Sequence, residues 1–348
     1  MMTTAASPIG FVQPDSLLFP RSKFFDKTRS SRTKWVYSSS ASSSETFCRT
    51  ASAQVIQEGV FDGSSVENWK KKKKKRVFLL DVNPLCYEGS KPSSHAFVHW
   101  VTLFFSQVSL NDPVIAVLDG EQGNQQRREL LPSYKAHRRS PVSGRYTRGL
   151  TVMPNQFAND VLGRCNVPVV RIKGHEADDV VATLAEQAVQ RGHRVVIASP
   201  DKDFKQLISE DVQIVMPVAE LGRWSFYTLK HYHAQYNCDP QSDLSLRCIM
   251  GDEVDGVPGI QHVVPGFGKK TAMKLVKKHG SLENLLSAAS VRTVGKPYAQ
   301  EALTKHADYL RRNYQVLALR RDVNIRIQEE WLVERDTSND SEVLSSLF

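Results

Sequence analysis

The sequence predicts an α/β fold in which a mostly parallel sheet, with helices on both faces, is followed by a helical region. Between residues 77 and 227, short apolar runs alternate with helical patterns at the spacing of βα units. From about residue 228 the strand signals stop and helical patterns dominate. The 348 residues, 41% of them hydrophobic, are enough for a proper core, which excludes a wholly disordered or collagen-like chain.

Four apolar runs are the predicted strands, and each leads to an acidic residue. The runs are 77–80 before Asp81, 114–118 before Asp119, 167–172 before Glu176 and 194–198 before Asp201. The predicted helices are 95–109, 151–164 and 176–191 in the sheet region, then 228–237, 240–249, 270–278, 281–288 and 298–318. Because the carboxyl ends of parallel strands form the working edge of such a sheet, the four acids should converge there.

Further acids follow closely, and the whole set predicts a catalytic metal site. They are Asp178, Asp179, Asp203, Asp252 and Asp255. One carboxylate near a strand end or helix start is commonly a helix cap. Each pair of like charges about 5 Å apart, however, costs on the order of 3 kcal/mol at an effective dielectric of 20. Divalent cations would remove that repulsion; carboxylate oxygens suit Mg²⁺ or Mn²⁺, and two ions suit phosphodiester hydrolysis.

A basic segment lies between the second predicted strand and the helix at 151. Residues 124–150 contain seven Lys and Arg against one acid, whereas an ordinary surface helix mixes the two signs. The segment includes Arg127, Arg128, Lys135, Arg138 and Arg139. We expect it to face a polyanion, with Tyr134 stacking on a base.

A second basic segment, residues 266–278, predicts phosphate binding at the start of a helix. Gly266 and Gly268 open the helix, so bare backbone N–H groups could approach a phosphate there. Five lysines and no acid lie within these thirteen residues. Lys269, Lys270, Thr271 and Lys274 are the candidate contacts. Contacts of this kind go to the backbone of a duplex and carry little base specificity.

The net charge of +9 lies almost entirely in the first 76 residues, which hold fourteen Lys and Arg against six acids. The first 50 residues contain eleven serines, seven basic residues and three acids, a composition typical of an organellar transit peptide. An ordinary disordered tail is the alternative. The run from Lys70 to Arg76 is typical of a nuclear signal, a nucleic-acid-binding arm or a solvated linker. We expect delivery to a chloroplast or mitochondrion rather than to the nucleus.

Nothing in the sequence predicts a membrane span or an obligate protein partner. The longest nearly apolar stretch, 97–105, is far shorter than the roughly 20 residues needed to cross a bilayer. The five cysteines form no Cys-x-x-Cys pair, which is typical of reduced thiols rather than a disulfide framework or a zinc site.

From about residue 77 to 327 the chain resembles the 5′-nuclease domain of bacterial DNA polymerase I and the related phage flap endonucleases. The matching strings are Tyr134-Lys135-Ala136-His137-Arg138, Gly174-His175-Glu176-Ala177-Asp178-Asp179, Asp201-Lys202-Asp203, Met250 to Gly259 and Pro265 to Ala272. Gly256 departs from the family pattern, in which Asn is frequent at this position. With no polymerase region, the chain is expected to be a stand-alone member of plant organellar type.

The resemblance implies a PIN-like (resolvase-like) core with a helical arch, and a helix-hairpin-helix clamp. It implies two metal ions, one held by Asp81, Asp119, Glu176 and Asp178 and the other by Asp201, Asp203 and Asp255. Asp179 and Asp252 match accompanying acids of the family. Arg127, Lys135 and Arg138 match arch positions near the scissile phosphate, and the turn at Gly266 and Gly268 matches one that can carry K⁺.

We therefore expect a Mg²⁺-dependent 5′-3′ exonuclease and 5′-flap endonuclease acting on DNA in organellar replication or repair. The alternatives are a PIN-type ribonuclease acting on RNA and a non-catalytic, structure-specific DNA-binding protein. The expected organisation is a leader and linker (1–76), a nuclease core with arch (77–227), a helix-hairpin-helix region (228–328) and a tail (329–348). We assign no role to the acidic tail.

Overall fold

The structure, a computed structural model, describes residues 74–89, 91–136 and 154–347. The strands in these residues are β1 (Arg76–Asp81), β2 (Tyr87–Glu88), β3 (Lys91–Pro92), β4 (Val114–Leu118), β5 (Val169–Arg171), β6 (Arg194–Ala198), β7 (Val212–Val218), β8 (Arg223–Tyr227), β9 (Gly251–Asp252) and β10 (Val257–Pro258). The α-helices there are α1 (Ser94–Phe104), α2 (Gln125–Leu130), α3 (Pro154–Arg164), α4 (Ala177–Gln190), α5 (Leu229–Tyr236), α6 (Asp243–Met250), α7 (Lys269–His279), α8 (Leu282–Val291), α9 (Pro297–Lys305), α10 (Ala307–Leu317) and α11 (Asp340–Ser345).

The central sheet has six strands in the order β5-β4-β1-β6-β7-β8. The first five run parallel, and β8 pairs antiparallel with β7 at the edge. The predicted α/β class with a mostly parallel sheet is confirmed, and the four predicted strands correspond to β1, β4, β5 and β6. Strands β7 and β8 were not predicted. Edge strand β8 buries only Trp224, whose indole N–H donates to the carbonyl of Trp100 at 3.1 Å.

Alternation along β1 sends its side chains to two separate cores, because successive residues of a strand face opposite sides of the sheet. Phe78 and Leu80 pack with α1, α3 and α11 on one face. Val77 and Leu79 pack with α4 on the other. Both faces are therefore covered, as expected for a parallel sheet.

The helical region from α5 to α10 contains a third core, which also includes Leu131 and Tyr134 from the basic segment. The helix predicted over 298–318 is instead two helices, α9 and α10, separated at His306. The helix predicted over 240–249 begins as a short 3-10 turn, Pro240–Ser242, before α6. The predicted helix over 270–278 is confirmed as α7.

The acidic C-terminal segment, to which the sequence analysis assigns no role, is part of the folded body. Val343 and Leu344 of α11 are buried in the core with α1 and α3. Arg335 is 8% exposed, binds both carboxylate oxygens of Asp340 at 2.6 and 2.7 Å, and donates to the carbonyl of Cys165 at 2.9 Å. Across the described part of the chain, every helix is too short or too polar to cross a membrane.

Candidate active site

The predicted strand-end acids lie along one edge of the sheet. Asp81 is the last residue of β1, Asp119 directly follows β4, and Asp201 follows β6 by three residues. Glu176 is the N-cap of α4, and Asp178 lies in its first turn. Since β1, β4 and β6 are adjacent and parallel, their carboxyl ends bring these acids together.

A close backbone contact joins the Asp119 loop to the start of α4. The amide of Gly120 donates to the carbonyl of His175 at 3.0 Å, and the amide of Ala177 donates to Oδ1 of Asp119 at 2.8 Å. A Cβ at Gly120 would lie 1.8 Å from the carbonyl oxygen of Ile172. Only glycine permits this approach, so Gly120 sets the distance between Asp119 and α4.

Ser199 connects two of the acids and was not found from the sequence. Its hydroxyl donates to Oδ2 of Asp81 at 2.8 Å and accepts from the amide of Asp201 at 3.0 Å. Oδ1 of Asp201 in turn accepts from the amide of Asp203 at 2.8 Å. A serine next to the strand-end motif carries no distinctive pattern, because its function depends entirely on the geometry of the turn.

Four acids of the cluster have no Lys or Arg partner within the part of the chain that the structure describes. Among the described residues no Lys or Arg forms an ion pair with Asp81, Asp119, Asp178 or Asp201. Burial, with the repulsion of neighbouring acids, raises the pKa of Asp81 to about 8. The same two causes raise the pKa of Asp119 and, strongly, that of Asp178. The raised pKa values mean that ionising Asp81, Asp119 and Asp178 is unfavourable unless a cation balances their charge, and Lys135 only partly does so.

Glu176, by contrast, is held by three donors. Its carboxylate accepts from Nζ of Lys135 at 2.6 Å, from Nη1 of Arg127 at 2.5 Å and from the hydroxyl of Tyr134 at 3.0 Å. Burial alone would raise the pKa of Glu176, but Lys135 and Arg127 outweigh it and lower the pKa. Lys135 therefore lies against the acids of the site, and its predicted position near the scissile phosphate stays a prediction.

Arg247 is a third cation of the site, half-buried, and it pairs with both Asp203 and Asp252. Lys202 also binds Asp252, with Nζ 2.9 Å from Oδ1. Burial, opposed by Arg247, raises the pKa of Asp203 to about 8. Arg247 was not identified from the sequence. Its position within the apolar run from Leu246 to Met250 was the available signal, since a charge there needs a partner.

Two predicted metal ligands have their oxygens engaged by cations. Asp179 is held by Arg127 at 2.6 and 2.9 Å and by the amide of Arg320 at 2.8 Å. Asp252 is held by Arg247 at 2.7 Å and by Lys202. Both carboxylates therefore stabilise the walls of the site in this structure, as Glu176 and Asp203 do through their own cation pairs. That Asp179 and Asp252 bind metal stays a prediction.

Two predicted nucleic-acid contacts are buried. Tyr134 is 3% exposed and its hydroxyl is used by Glu176, so no ring face is open to a base. Arg127 is 7% exposed and also donates to the carbonyl of Val316 at 2.9 Å and of Ala318 at 3.1 Å. Both side chains join the basic segment to α4 and α10, which corrects their predicted roles at a base and at the scissile phosphate.

The remaining basic-segment candidates are only partly described. Arg128 donates to the carbonyls of Tyr134 and Lys135, each at 3.2 Å. Arg138 and Arg139 lie outside the described residues. The predicted approach of these three side chains to a polyanion stays a prediction.

The donor chemistry of the cluster fits a hard divalent cation, because its four unpaired members are carboxylates along one edge of the sheet, with Asp81 buried and the other three half-buried. Within residues 74–89, 91–136 and 154–347, however, no three His, Cys, Asp or Glu side chains are arranged so that they could hold a metal ion as they stand. Asp255 is buried close enough to Asp203 and Lys135 to influence the pKa of each. An ion would have to draw these side chains inward.

The second basic segment has the predicted form. Gly266 has a left-handed backbone with φ +90°, and Gly268 is the N-cap of α7 without a side-chain cap. Lys269, Lys270 and Lys274 are exposed. Thr271 is half-buried, with its hydroxyl 3.0 Å from that of Tyr298. The start of α7 thus presents three lysines and uncapped helix amides to the outside.

Comparison with known proteins identifies matching families and relatives. Residues 86–237 match the profile of the 5′-3′ exonuclease N-terminal resolvase-like domain, and residues 238–340 that of the 5′-3′ exonuclease C-terminal SAM fold. The chain is 34% identical over 171 residues to a 5′-3′ exonuclease of Aquifex aeolicus, which covers 49% of this chain and 54% of the relative. It is also 34% identical over 203 residues to the thermostable DNA polymerase I of Thermus thermophilus, covering 58% of this chain and 22% of that protein.

The fold is shared with a solved phage protein. The T5 D15 flap endonuclease, in a pseudo-enzyme–product complex with DNA and metal ions, aligns with a TM-score of 0.53 over 78% of this chain and 100% of that chain, at 21% identity. The chain spans about half or less of the length of the two curated relatives. The two family profiles adjoin and together account for most of the described residues. The chain therefore belongs to the 5′-3′ exonuclease family.

Proposed function

We propose that the protein is a Mg²⁺-dependent 5′-3′ exonuclease and 5′-flap endonuclease that hydrolyses phosphodiester bonds in DNA, with Mn²⁺ as an alternative ion. The observation that carries this proposal is the set of four acids without a basic partner among the described residues, with Lys135 beside them. Negative charge concentrated on buried and half-buried carboxylates is unfavourable unless a cation balances it.

Two groups of residues would hold the ions. Asp81, Asp119, Glu176 and Asp178 form the first group, and Asp201, Asp203 and Asp255 form the second. Divalent ions bound there would lower the pKa of a water molecule and neutralise charge on the phosphate. For Glu176 and Asp203 to serve as ligands, their present pairs with Lys135 and Arg247 must loosen.

The protein side chains would supply phosphate contacts on either side of the cluster. The charge of Lys135 lowers the pKa of Asp81, Asp119 and Asp178. Burial lowers the pKa of Lys135, but Asp178 and Glu176 outweigh it and raise the pKa, so Lys135 stays charged. A charged amine at this place can stabilise negative charge that develops on phosphate oxygens. The exposed lysines of α7 would bind the backbone of a duplex without reading its sequence. A K⁺ ion at the turn of Gly266 and Gly268 is part of this proposal.

The choice of DNA is supported by the relatives. Their names describe 5′-3′ exonucleases and DNA polymerases, and the T5 protein is a flap endonuclease bound to DNA and metal ions. The finer assignment, to replication or repair of organellar DNA, rests on the serine-rich, basic composition of the first 50 residues. A fluorescent fusion of residues 1–76 tests it: entry into chloroplasts or mitochondria supports it, and entry into the nucleus overturns it.

Cleavage of matched substrates tests the activity itself. The full chain is incubated with a 5′-flap DNA and with an RNA flap of the same sequence, with Mg²⁺, with Mn²⁺, or with a chelator. We expect the DNA flap to be cut near the junction, only when divalent ion is present. Faster cutting of RNA would favour a ribonuclease, and tight binding of the flap without any cutting would favour a non-catalytic DNA-binding protein.

A further inference from the structure

We propose that Ser133 and Gly256 are positioning residues that lock the backbone of Lys135 onto the helical region. This inference rests on the proposed function in one respect, because that function gives Lys135 its catalytic role. Ser133 lies two residues before Lys135 in the basic segment. Gly256 lies 123 residues after Ser133 in the chain, in the loop between β9 and β10. We call the contact between residues 133–136 and residues 255–256 the lysine latch.

Two hydrogen bonds form the lysine latch. The hydroxyl of Ser133 donates to the carbonyl oxygen of Gly256 at 2.7 Å. The amide of Lys135 donates to the carbonyl oxygen of Asp255 at 2.8 Å. The bonds use neighbouring carbonyls of one loop, so the segment carrying Lys135 is fixed both in position and in direction.

Gly256 makes the contact sterically feasible. Its φ is +70°, and a Cβ there would lie 2.3 Å from the carbonyl oxygen of Ser133 and 3.2 Å from its carbonyl carbon. Real Cβ atoms do not approach backbone oxygen so closely, so any larger residue would push residues 133–136 away.

The backbone of Lys135 itself needs such support. Lys135 has φ +49°, in the left-handed region that non-glycine residues rarely adopt. This conformation coincides with a side chain that is 6% exposed and reaches Glu176 at 2.6 Å. A strained residue persists only where its surroundings fix it, and the bond from its amide to Asp255 provides that constraint.

The lysine latch also links two functional surfaces. The loop that receives Ser133 and Lys135 continues through β10 toward α7, whose exposed lysines are the proposed duplex contacts. Leu131 and Tyr134, on either side of Ser133, are buried in the core that contains α7 residues Ala272 and Leu275. The placement of Lys135 therefore depends on the helical region rather than on the sheet alone.

Gly256→Ala is the direct test, and Gly222→Ala is its matched control. Gly222 also has a left-handed backbone, with φ +56°, but a Cβ there meets nothing within 4 Å. Both variants carry the backbone strain of alanine at positive φ, whereas only Gly256→Ala displaces the lysine latch. Ser133→Ala removes one latch bond at an exposed position, and Ser133→Thr retains the hydroxyl.

Two measurements are compared across these full-length variants. Hydrogen exchange of the peptide spanning 131–136 reports the latch without any catalysis. Steady-state cleavage of a 5′-flap DNA separates kcat from KM. We expect Gly256→Ala to speed exchange of this peptide and to lower kcat at least about tenfold with KM nearly unchanged, because Lys135 acts on the transition state. Ser133→Ala should show the same pattern on a smaller scale, and Ser133→Thr should restore wild-type values.

Several results would overturn the lysine latch. These are an unchanged exchange rate in both Gly256→Ala and Ser133→Ala, a loss of kcat no greater than in Gly222→Ala, or a rise in KM without a fall in kcat. If Gly256→Ala does not fold, Ser133→Ala and Ser133→Thr decide the matter. If the wild type itself does not cleave DNA, the proposed function fails, while the exchange measurement still accepts or rejects the latch.

Discussion

The guanidinium of Arg127 donates two hydrogen bonds to the carboxylate of Asp179, at 2.6 and 2.9 Å. It also donates to the carbonyls of Val316 and Ala318 at the end of α10. Asp179 belongs to α4, which packs on the sheet, whereas Val316 and Ala318 belong to the helical region. A bidentate pair that is buried on both sides is both geometrically specific and strongly dependent on each partner. Arg127 thus fixes the helical region against the sheet, directly beside Glu176.

Replacing Arg127 by Met should therefore destabilise the protein severely. The substitution leaves Asp179 and one contact of Glu176 uncompensated in a buried setting, a loss of about 3–5 kcal/mol in the free energy of unfolding. Urea denaturation of the variant and the wild type measures this loss in the free energy of unfolding. Lys305→Ala, which removes an exposed pair with Glu301, serves as the control and should leave the midpoint unchanged. Equal midpoints for both variants would show that Arg127 is not a structural lock.

Arg335 tests whether the C-terminal segment contributes to stability. Besides binding Asp340 and the carbonyl of Cys165, its guanidinium lies 4.1 Å from the ring centre of Phe105. Arg335→Met leaves Asp340 without its partner and should lower the free energy of unfolding by about 3 kcal/mol. Thermal unfolding followed by circular dichroism is the measurement. An unchanged transition would mean that residues 335–340 are dispensable.

Asp243 should give the protein a pH-dependent stability that an Asn variant lacks. Burial raises the pKa of Asp243, although Arg247 and the hydroxyl of Tyr232, which donates to it at 2.9 Å, oppose the rise. The folded protein thus binds this proton more tightly than the unfolded chain does. The resulting stabilisation is complete below the ordinary pKa of about 4 and is lost as pH rises through the higher folded value.

Asp243→Asn should accordingly gain stability relative to the wild type as the pH increases from 4 to 8. Urea unfolding at pH 4, 6 and 8 gives the difference between the two proteins at each pH. A difference that stays constant, or that shifts in favour of the wild type as the pH rises, would contradict the raised pKa of Asp243.

The alternating sheet region could be predicted because its signals are local. The run 77–80 is apolar on both faces and ends in Asp81, and it became the central strand β1 with both faces buried. Strand β8 could not be found this way, since Trp224 is its one buried residue and its stability depends on packing against Trp100 and Phe104.

Residue type predicted which acids lie at the site better than it predicted what each acid does there. Asp81, Asp119, Glu176, Asp178 and Asp201 meet at the sheet edge as expected, because their positions follow from the strands. Asp179 is adjacent to Asp178, yet it faces Arg127. One residue along a helix turns a side chain by about 100°, so neighbouring acids can serve opposite purposes. Such pairings involve partners 50 or more residues away, which a linear pattern does not show.

The adjacent acids Asp178 and Asp179 offer the sharpest contrast between catalysis and structure. Asp178→Asn removes a carboxyl group whose ionisation burial and neighbouring acids oppose, so it should raise the thermal stability of the metal-free protein. Asp179→Asn should lower that stability by leaving Arg127 partly unpaired. Mg²⁺ should raise the melting temperature of the wild type, since a ligand that binds only the folded state stabilises it, and should raise that of Asp178→Asn much less.

The most direct measurement is the rate of Mg²⁺-dependent cleavage of a 5′-flap DNA by Asp178→Asn beside the wild type. If the unpaired acids hold the catalytic ions, the rate should fall by at least about a hundredfold in a protein that is folded and at least as stable, because bound ions supply several kcal/mol of transition-state stabilisation. Cleavage by Asp178→Asn at the wild-type rate, with an unchanged dependence on Mg²⁺, would contradict the assignment of this acidic edge as the active site.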